Sequence, residues 1–260
     1  MNRSLIFVPA KEKMLSKISS MNADIFIIDL EDSIATNEKD IALSTVTAYL
    51  DGVENSKNII IRLNKERYVE ELTALHKYNV DFMLPKFECI EDYSEISNFS
   101  SNHSFYALVE TPKGIVSISK IAQLEEISSI AFGAEDYTAS VGMQNSIEYL
   151  IYQKSRLVTY AKAYGKKVYD TPSFKLDNEE LFRAEVDNAY NLGFDGKMLI
   201  TPRHLDYINR VFSDCDIESI KKIVDIYENQ DQAVLVIDGK VYEKMHIAHL
   251  KKILKEKGEK

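Results

Sequence analysis

The feature that most constrains the fold is a repeated alternation of short apolar runs and amphipathic segments along residues 5–212. The runs are nearly continuous in apolar residues, which predicts parallel strands buried on both faces. Eight such units favour a closed (β/α)8 barrel, the TIM-barrel α/β fold, over an open doubly wound sheet. The predicted strands are 5–8, 25–30, 59–63, 82–84, 105–109, 130–132, 167–169 and 197–200. The predicted helices are 11–21, 38–50, 69–78, 90–99, 115–127, 146–164, 179–192 and 205–212.

The residues after the eighth unit form a different pattern. They predict a helix over 217–227, a hairpin over 234–243 and a last helix over 245–256. Asp238-Gly239 lies between two apolar runs and is a strong signal for a hairpin turn. We therefore predict a barrel domain at 1–213. A C-terminal helix–hairpin–helix extension at 214–260 would pack as a lid on the barrel or on a neighbouring subunit.

The composition limits the kinds of molecule that this protein is expected to bind. A chain of 260 residues is close to the usual length of one barrel, and its formal net charge of −9 argues against nucleic-acid binding, which needs a basic face. A small anionic substrate is still compatible with this charge, because a metal and a few arginines decide the local field. The sequence shows no apolar stretch near the ~20 residues of a membrane span and no signal peptide, so we expect a cytoplasmic protein without a membrane partner.

Ionisable residues follow the predicted strands. The carboxyl ends of barrel strands carry the active site, so these residues are expected on one rim. Glu110 and Asp136 follow consecutive strands, and carboxylate oxygens are the ligands that Mg²⁺ or Mn²⁺ prefers, with positions left open for water and substrate. We predict that these two residues bind the metal. The other residues that follow or end the predicted strands are Pro9, Asp29, Leu30, Glu31, Asp32, Arg62, Asn64, Pro85, Lys86, Glu135, Asp170, Thr171, Thr201, Pro202 and Arg203.

The rim residues suggest an aldol-type reaction. Arg62 offers a planar, permanently charged fork for a substrate carboxylate. Glu31 and Asp32 would hold metal-bound waters or orient Arg62 and Lys86. A metal chelated by a keto or hydroxy acid would polarise its oxygen, as carbon–carbon cleavage through an enolate requires.

Each of these residues also has a purely structural interpretation. Glu110 and Asp136 would then be solvated loop acids, and Arg62 would pair with Glu31 or Asp32 in an ion-pair network. Asp29, inside the second strand, would cap or brace neighbouring loops. Lys86 is either a Schiff-base lysine or an electrostatic or structural group, and the metal-type acids nearby favour the second interpretation.

Seven short motifs occur in order along nearly the whole chain. They are RSLIFVP at 3–9, IDLED at 28–32, IRLN at 61–64, LPK at 84–86, VET at 109–111, FGAED at 132–136 and GFDGK at 193–197. With these motifs the chain resembles the citrate lyase beta-subunit family, which includes malyl-coenzyme A lyases and related aldolases. Each motif is weak alone, but seven in order are specific.

The resemblance implies a Mg²⁺-dependent TIM barrel that forms trimers or hexamers. It implies that Glu110 and Asp136 ligate the metal and that Arg62 binds the keto-acid moiety. Arg3 would line the same pocket or the acyl-carrier entrance. Family substrates are citryl or malyl thioesters of coenzyme A or of an acyl carrier protein. The predicted substrate-binding residues are Arg3, Arg62, Lys86, Glu110 and Pro202.

The chain departs from the family pattern at four positions. The family's catalytic aspartate, in a context like Gly-Lys-Met-Val-Asp-Arg-Pro, is replaced by Glu243 within GKVYEKM, and the following proline is absent. Ala10 replaces a glycine, and Thr201 replaces a histidine before Pro202. We predict a metal-dependent lyase that cleaves or forms a β-hydroxyacyl thioester. The alternatives are an aldolase acting on a non-thioester substrate and a non-catalytic subunit or sensor. The predicted catalytic residues are Glu31, Asp32, Arg62 and Glu243.

Overall fold

The computed structural model describes residues 2–53, 58–213, 217–229, 234–256 and 258. The chain divides into two compact units, Met1–Phe212 and Ser213–Lys260. Within the described residues, no helix has the length and apolar character needed to cross a membrane.

The first unit is a closed parallel barrel. In its described residues eight strands follow one another in sequence order, and the first pairs with the eighth. This confirms the predicted TIM-barrel fold. The strands are β1 (Ser4–Pro9), β2 (Ile25–Asp29), β3 (Ile59–Arg62), β4 (Asp81–Leu84), β5 (Phe105–Val109), β6 (Ile127–Phe132), β7 (Lys167–Asp170) and β8 (Gly196–Leu199).

Alternate strand residues fill two different cores, because successive side chains of a strand point to opposite faces. Ile25 and Ile27 belong to the cluster that also holds residues from the other strands, whereas Phe26 and Ile28 pack in the larger cluster with the helices. The strands are therefore apolar on both faces, which explains their continuous apolar runs. The first cluster contains Leu5, Ile25, Ile27, Ile60, Met83, Tyr106, Leu108, Ala131, Tyr169 and Met198.

The helices follow the predicted order with three differences. The first helix is a single turn, and the predicted helix at 90–99 is a 3-10 segment, Ile90–Asn98, kinked at Tyr93. An eight-residue helix directly after β6 was not predicted, because its short sequence AEDYTASV has little apolar periodicity. The helices are α1 (Glu12–Leu15), α2 (Lys39–Asp51), α3 (Tyr68–Leu75), α4 (Pro112–Ile121), α5 (Ala134–Val141), α6 (Ile147–Ala163), α7 (Glu179–Leu192) and α8 (Leu205–Val211).

The second unit has the predicted helix–hairpin–helix order. It contains α9 (Ile217–Glu228), the antiparallel strands β9 (Val234–Ile237) and β10 (Lys240–Glu243), and α10 (Lys244–Glu256). Asp238 and Gly239 both have positive φ, at 49° and 76°, which a tight two-residue hairpin turn requires. Residues of α9 and α10 share a small apolar core that includes Ile220, Val224, Ile247 and Leu254.

Candidate active site

A cavity of about 480 Å³ lies at the carboxyl ends of the barrel strands, and we call it the rim cavity. Among its described lining residues, five carry carboxylates and one carries a guanidinium. This surplus of negative charge fits a bound cation. The lining residues are Phe7, Pro9, Asp29, Asp32, Ser33, Arg62, Leu108, Glu110, Gly133, Ala134, Glu135, Asp136, Thr171, Pro172, Phe174, Met198 and Ile200.

Glu110 directly follows β5 and is held from two sides. Its carboxylate accepts a hydrogen bond from the backbone N–H of Lys86 at 2.8 Å, and the residue is 4% exposed. A Cβ atom at Gly133 would lie 2.5 Å from Glu110 Oε2, so a side chain there would displace the carboxylate. Burial raises the pKa of Glu110 to about 8, and the negative charges of Glu31 and Asp136 add to this effect.

Asp136 lies in the first turn of α5, at the exposed edge of the same cavity as Glu110. The two predicted metal ligands therefore face one space. Among the described residues, no group of three or more histidine, cysteine, aspartate or glutamate side chains is arranged for metal binding. A metal on Glu110 and Asp136 would thus complete its coordination with water and substrate oxygens, as Mg²⁺ commonly does.

Arg62 ends β3 and is 8% exposed. Its Nε and Nη2 atoms donate to both carboxylate oxygens of Asp29, at 2.7 and 2.8 Å. Its Nη1 atom lies 3.3 Å from Glu31 and 3.1 Å from Asp32, and the guanidinium lies 5.0 Å from the ring centre of Phe7. Burial alone would lower the pKa of Arg62, but the three carboxylates raise it, so this side chain is a fixed positive charge.

Asp29 is the residue of this site whose importance the sequence analysis understated. It is the cross-strand partner of Arg62, and it accepts further hydrogen bonds from the backbone N–H groups of Glu31 and Ser33. Burial would raise the pKa of Asp29, yet the hydrogen bonds and charge of Arg62 hold it below its usual range. The available signal was an aspartate at the end of a fully buried strand, where an uncompensated charge would be costly.

Lys86 has a backbone conformation that is unusual for a residue with a side chain. Its φ is +48°, and its Nζ atom donates to Glu31 Oε1 at 2.8 Å. Partial burial would lower the pKa of Lys86, but the hydrogen bond and charge of Glu31 raise it. A Schiff-base lysine needs a neutral amine, so the structure favours the electrostatic interpretation.

Arg3 does not belong to this site. It precedes β1 and forms two hydrogen bonds of 2.8 Å with Asp24, which precedes β2, so both lie at the opposite end of the barrel. The expectation that Arg3 lines the substrate pocket is therefore wrong, because residue 3 lies before the strand rather than after it.

Three other predicted residues of the barrel unit, Glu31, Lys86 and Pro202, are not among the described lining residues of the rim cavity. Pro202 is exposed and begins a 3-10 helix, and Met198 and Ile200 occupy the β8 side of the cavity instead. Glu243 ends β10 in the second unit, where its carboxylate is exposed and its backbone N–H donates to His246 Nδ1 at 3.0 Å. The catalytic role of Glu243 stays a prediction.

A closed parallel barrel with buried carboxylates and one buried arginine on its catalytic rim has the architecture of a metal-assisted barrel enzyme. Residues 3–202 match the model of the HpcH/HpaI aldolase/citrate lyase family. The chain belongs to this family, which confirms the predicted family and the lyase class.

Curated relatives match almost the whole chain. A (3S)-malyl-CoA thioesterase of Cereibacter sphaeroides is 29% identical over 265 residues, covering 97% of this chain and 93% of the relative. A citrate lyase subunit beta of Haemophilus influenzae is 29% identical over 279 residues, covering 98% and 96%.

Solved structures with the same fold include two from Mycobacterium tuberculosis. CitE in complex with magnesium, acetoacetate and coenzyme A superposes with a TM-score of 0.82 at 22% identity, covering 99% of this chain and 98% of that chain. A citrate lyase beta subunit complexed with oxaloacetate and magnesium has a TM-score of 0.71 at 25% identity, covering 81% and 96%.

Proposed function

We propose that this protein is a Mg²⁺-dependent carbon–carbon lyase. It would cleave a β-hydroxyacyl thioester, such as malyl-CoA or citryl-CoA, into an acetyl thioester and a 2-keto acid, or join the two in reverse. The observation that carries the proposal is the buried carboxyl of Glu110, which shares an acid-rich cavity with Asp136 and Arg62. Relatives named for citrate lyase and malyl-CoA chemistry support the choice of substrate class.

The residues of the rim cavity fit a divalent cation. Glu110 and Asp136 supply hard oxygen donors, and Mg²⁺ or Mn²⁺ bound by them would act as a Lewis acid on an oxygen of the keto or hydroxy acid. Glu31 Oε2 is buried without a hydrogen-bond partner in the described part of the chain, but Arg62 Nη1 lies 3.3 Å from it and offsets its charge. A bound magnesium in a citrate lyase beta subunit with this fold supports the same assignment.

Arg62 would bind the carboxylate of the keto acid. Asp29 occupies the Nε and Nη2 side of the guanidinium, whereas Asp32 contacts Nη1 with a side chain that is 57% exposed. An exposed ion pair contributes little, so a substrate carboxylate would replace Asp32 more easily than Asp29. The buried Asp29 and Glu31 would keep the guanidinium plane in place during this exchange.

Proton transfers complete the reaction. As the carbon–carbon bond breaks, the hydroxyl proton would pass to a cavity carboxylate that is not a metal ligand, either Asp32 or Glu135. The bonding electrons would form the enolate of the acetyl thioester, and Glu243 would protonate its carbon. The 2.8 Å ion pair between Lys86 and Glu31 would fix the loop after β4 relative to the loop after β2.

Product analysis tests this function. The purified chain is incubated with malyl-CoA or citryl-CoA and Mg²⁺, and acetyl-CoA, keto acid and free coenzyme A are quantified. Equal amounts of acetyl-CoA and keto acid support the lyase. Free coenzyme A with intact hydroxy acid would instead indicate thioester hydrolysis, and cleavage restricted to free hydroxy acids would indicate a non-thioester aldolase. Keto-acid binding without any turnover would indicate a sensor.

We further propose a cytoplasmic homotrimer or homohexamer. Val116 on α4 and Tyr149 and Tyr152 on α6 are exposed apolar side chains of the barrel unit. Arg156 of α6 donates to the carbonyl oxygen of Val116 and to the hydroxyl of Tyr152, so Val116 and Tyr152 lie near each other. Tyr149 precedes Tyr152 by three residues on α6 and therefore lies on the same helix face. Exposed patches of this kind commonly mark subunit interfaces. Light scattering coupled to gel filtration measures the mass, and a monomer would contradict the proposal.

A further inference from the structure

The first turn of α5 is capped by a residue from the loop after β7. Gly133 at its N-cap offers no side chain, and the buried backbone N–H of Ala134 donates instead to the hydroxyl oxygen of Thr171 at 3.1 Å. Thr171 directly follows β7 and lines the rim cavity. Without this hydroxyl, the Ala134 N–H would be a buried donor with no described partner, which is unfavourable.

The backbone of Thr171 is in turn held by a buried cluster of charged residues. Lys197 of β8 donates to the carbonyl oxygen of Thr171 at 2.6 Å and to Asp170 at 2.7 Å. Lys154 of α6 donates to the same carboxylate at 3.1 Å. All three charged residues are almost fully buried. Lys197 belongs to the GFDGK motif, and the proposed reaction assigns no role to this motif.

We infer that Thr171 is a positioning residue for the metal site and that Lys197 holds it in place. The hydroxyl of Thr171 fixes the N-terminus of α5, and α5 carries Asp136 two residues further on. Asp136 is itself exposed, so its direction toward Glu110 depends on the helix that carries it. This inference rests on the proposed function, because it assigns the helix anchor a role only if Asp136 binds a metal.

Mn²⁺ binding tests the inference without requiring turnover. Bound Mn²⁺ is counted by electron paramagnetic resonance on the full chain, for the wild type and for Thr171→Val and Thr171→Ser. Valine keeps the shape of threonine but cannot accept the N–H, so we expect Mn²⁺ binding to weaken about tenfold or more. Serine keeps the hydroxyl and should remain within about threefold of the wild type. Ile118→Val, at a buried position of α4, controls for a general loss of packing.

Lys197→Met tests the second half of the inference and serves if Thr171→Val fails to fold. Lys154 still neutralises Asp170 in this variant. We expect weaker Mn²⁺ binding, and a smaller effect of Lys197→Met in the Thr171→Val background than in the wild type. The inference is overturned if Thr171→Val and Lys197→Met both bind Mn²⁺ with wild-type affinity. It is also overturned if Thr171→Ser binds Mn²⁺ as weakly as Thr171→Val.

Asp136→Asn separates the inference from the proposed function. If the wild type binds no Mn²⁺, or if Asp136→Asn binds it as well as the wild type, the metal site and the inference both fail. If Asp136→Asn loses binding but the Thr171 and Lys197 variants do not, the proposed function stands and the positioning role alone is wrong. A fall in affinity equal to that of Ile118→Val also overturns the positioning role.

Discussion

The backbone N–H of Lys86 donates to Glu110 Oε1 at 2.8 Å from a residue whose φ is +48°. Non-glycine residues seldom adopt this left-handed conformation, and such residues often cluster at active sites. Here the unusual turn aims an amide at a proposed metal ligand, while the side chain of the same residue pairs with Glu31. One residue thus contributes to the site through both its backbone and its side chain.

Two substitutions at Lys86 separate these contributions. Lys86→Asn and Lys86→Val both remove the ammonium group, but asparagine tolerates positive φ and a β-branched residue does not. We expect Lys86→Val to have a free energy of unfolding lower than that of Lys86→Asn by about 1–2 kcal/mol. Urea denaturation in the presence of EDTA measures this difference. Equal stability of the two variants would show that the turn carries no constraint.

Gly133 tests how closely Glu110 must be held. In Gly133→Ala the new methyl group would lie 2.5 Å from Glu110 Oε2, so the carboxylate must move. We expect at least about tenfold weaker Mg²⁺ binding by titration calorimetry, because a displaced ligand loses its geometry. Gly52→Ala is the matched control, since its methyl group would lie 3.5 Å from the nearest atom, an ordinary contact. Unchanged binding in Gly133→Ala would contradict the ligand role of Glu110.

Asp136→Asn addresses the metal requirement of the reaction. The amide keeps the size of the side chain but removes its charge, so we expect Mg²⁺-dependent turnover to fall at least about a hundredfold. The residue is exposed, so the melting temperature should change little. Turnover and melting are measured on the same sample. Retained turnover with bound metal would show that another residue ligates the metal.

Glu71 gives a pH dependence of stability that is separate from the site. Its carboxylate accepts hydrogen bonds from the backbone and side chain of Asn64, and burial raises its pKa to about 7. The folded protein therefore binds this proton more tightly than the unfolded chain. Stability contributed by the group is present in full below about pH 4.5, the ordinary glutamate value, and is lost as the pH rises through about 7.

Glu71→Gln should remove this dependence. Between pH 4.5 and 7 we expect the wild type to lose up to about 3 kcal/mol of unfolding free energy relative to the glutamine variant. Glutamine can accept from one of the two Asn64 donors, which adds a cost that does not vary with pH. Urea unfolding of both proteins at several pH values measures the trend. Parallel stability curves would show that Glu71 titrates normally.

The barrel could be predicted from the sequence because its strands are buried on both faces and therefore appear as apolar runs. The predicted bounds of a strand were wrong where polar side chains interrupted its apolar run. β6 begins at Ile127, whereas the sequence predicted a start at 130, because Ser128 and Ser129 interrupt the apolar pattern. The hydroxyl of Ser128 donates to the carbonyl oxygen of Phe105.

The site could be predicted less completely than the fold. The strand-end rule placed Glu110, Asp136 and Arg62 on one cavity. It could not reveal the left-handed turn of Lys86 or the hydroxyl of Thr171 that caps α5, because both depend on contacts between distant segments. The prediction for Arg3 was wrong because it relied on the family motif. Arg3 precedes β1, and this position places it at the opposite end of the barrel.

Glu243 provides the last prediction, because it tests whether a glutamate replaces the family's catalytic aspartate. Its side chain is exposed, and the hydrogen bond to His246 uses only the backbone N–H, so Glu243→Gln should leave the hairpin and the melting temperature unchanged. If Glu243 protonates the enolate carbon, kcat should fall about a hundredfold or more while Mg²⁺ and keto-acid binding stay as in the wild type. Glu218→Gln, at an exposed position of α9, is the matched control. Glu243→Asp should retain activity if the shorter side chain still reaches the substrate. Wild-type kcat in Glu243→Gln would assign the proton transfer to another group.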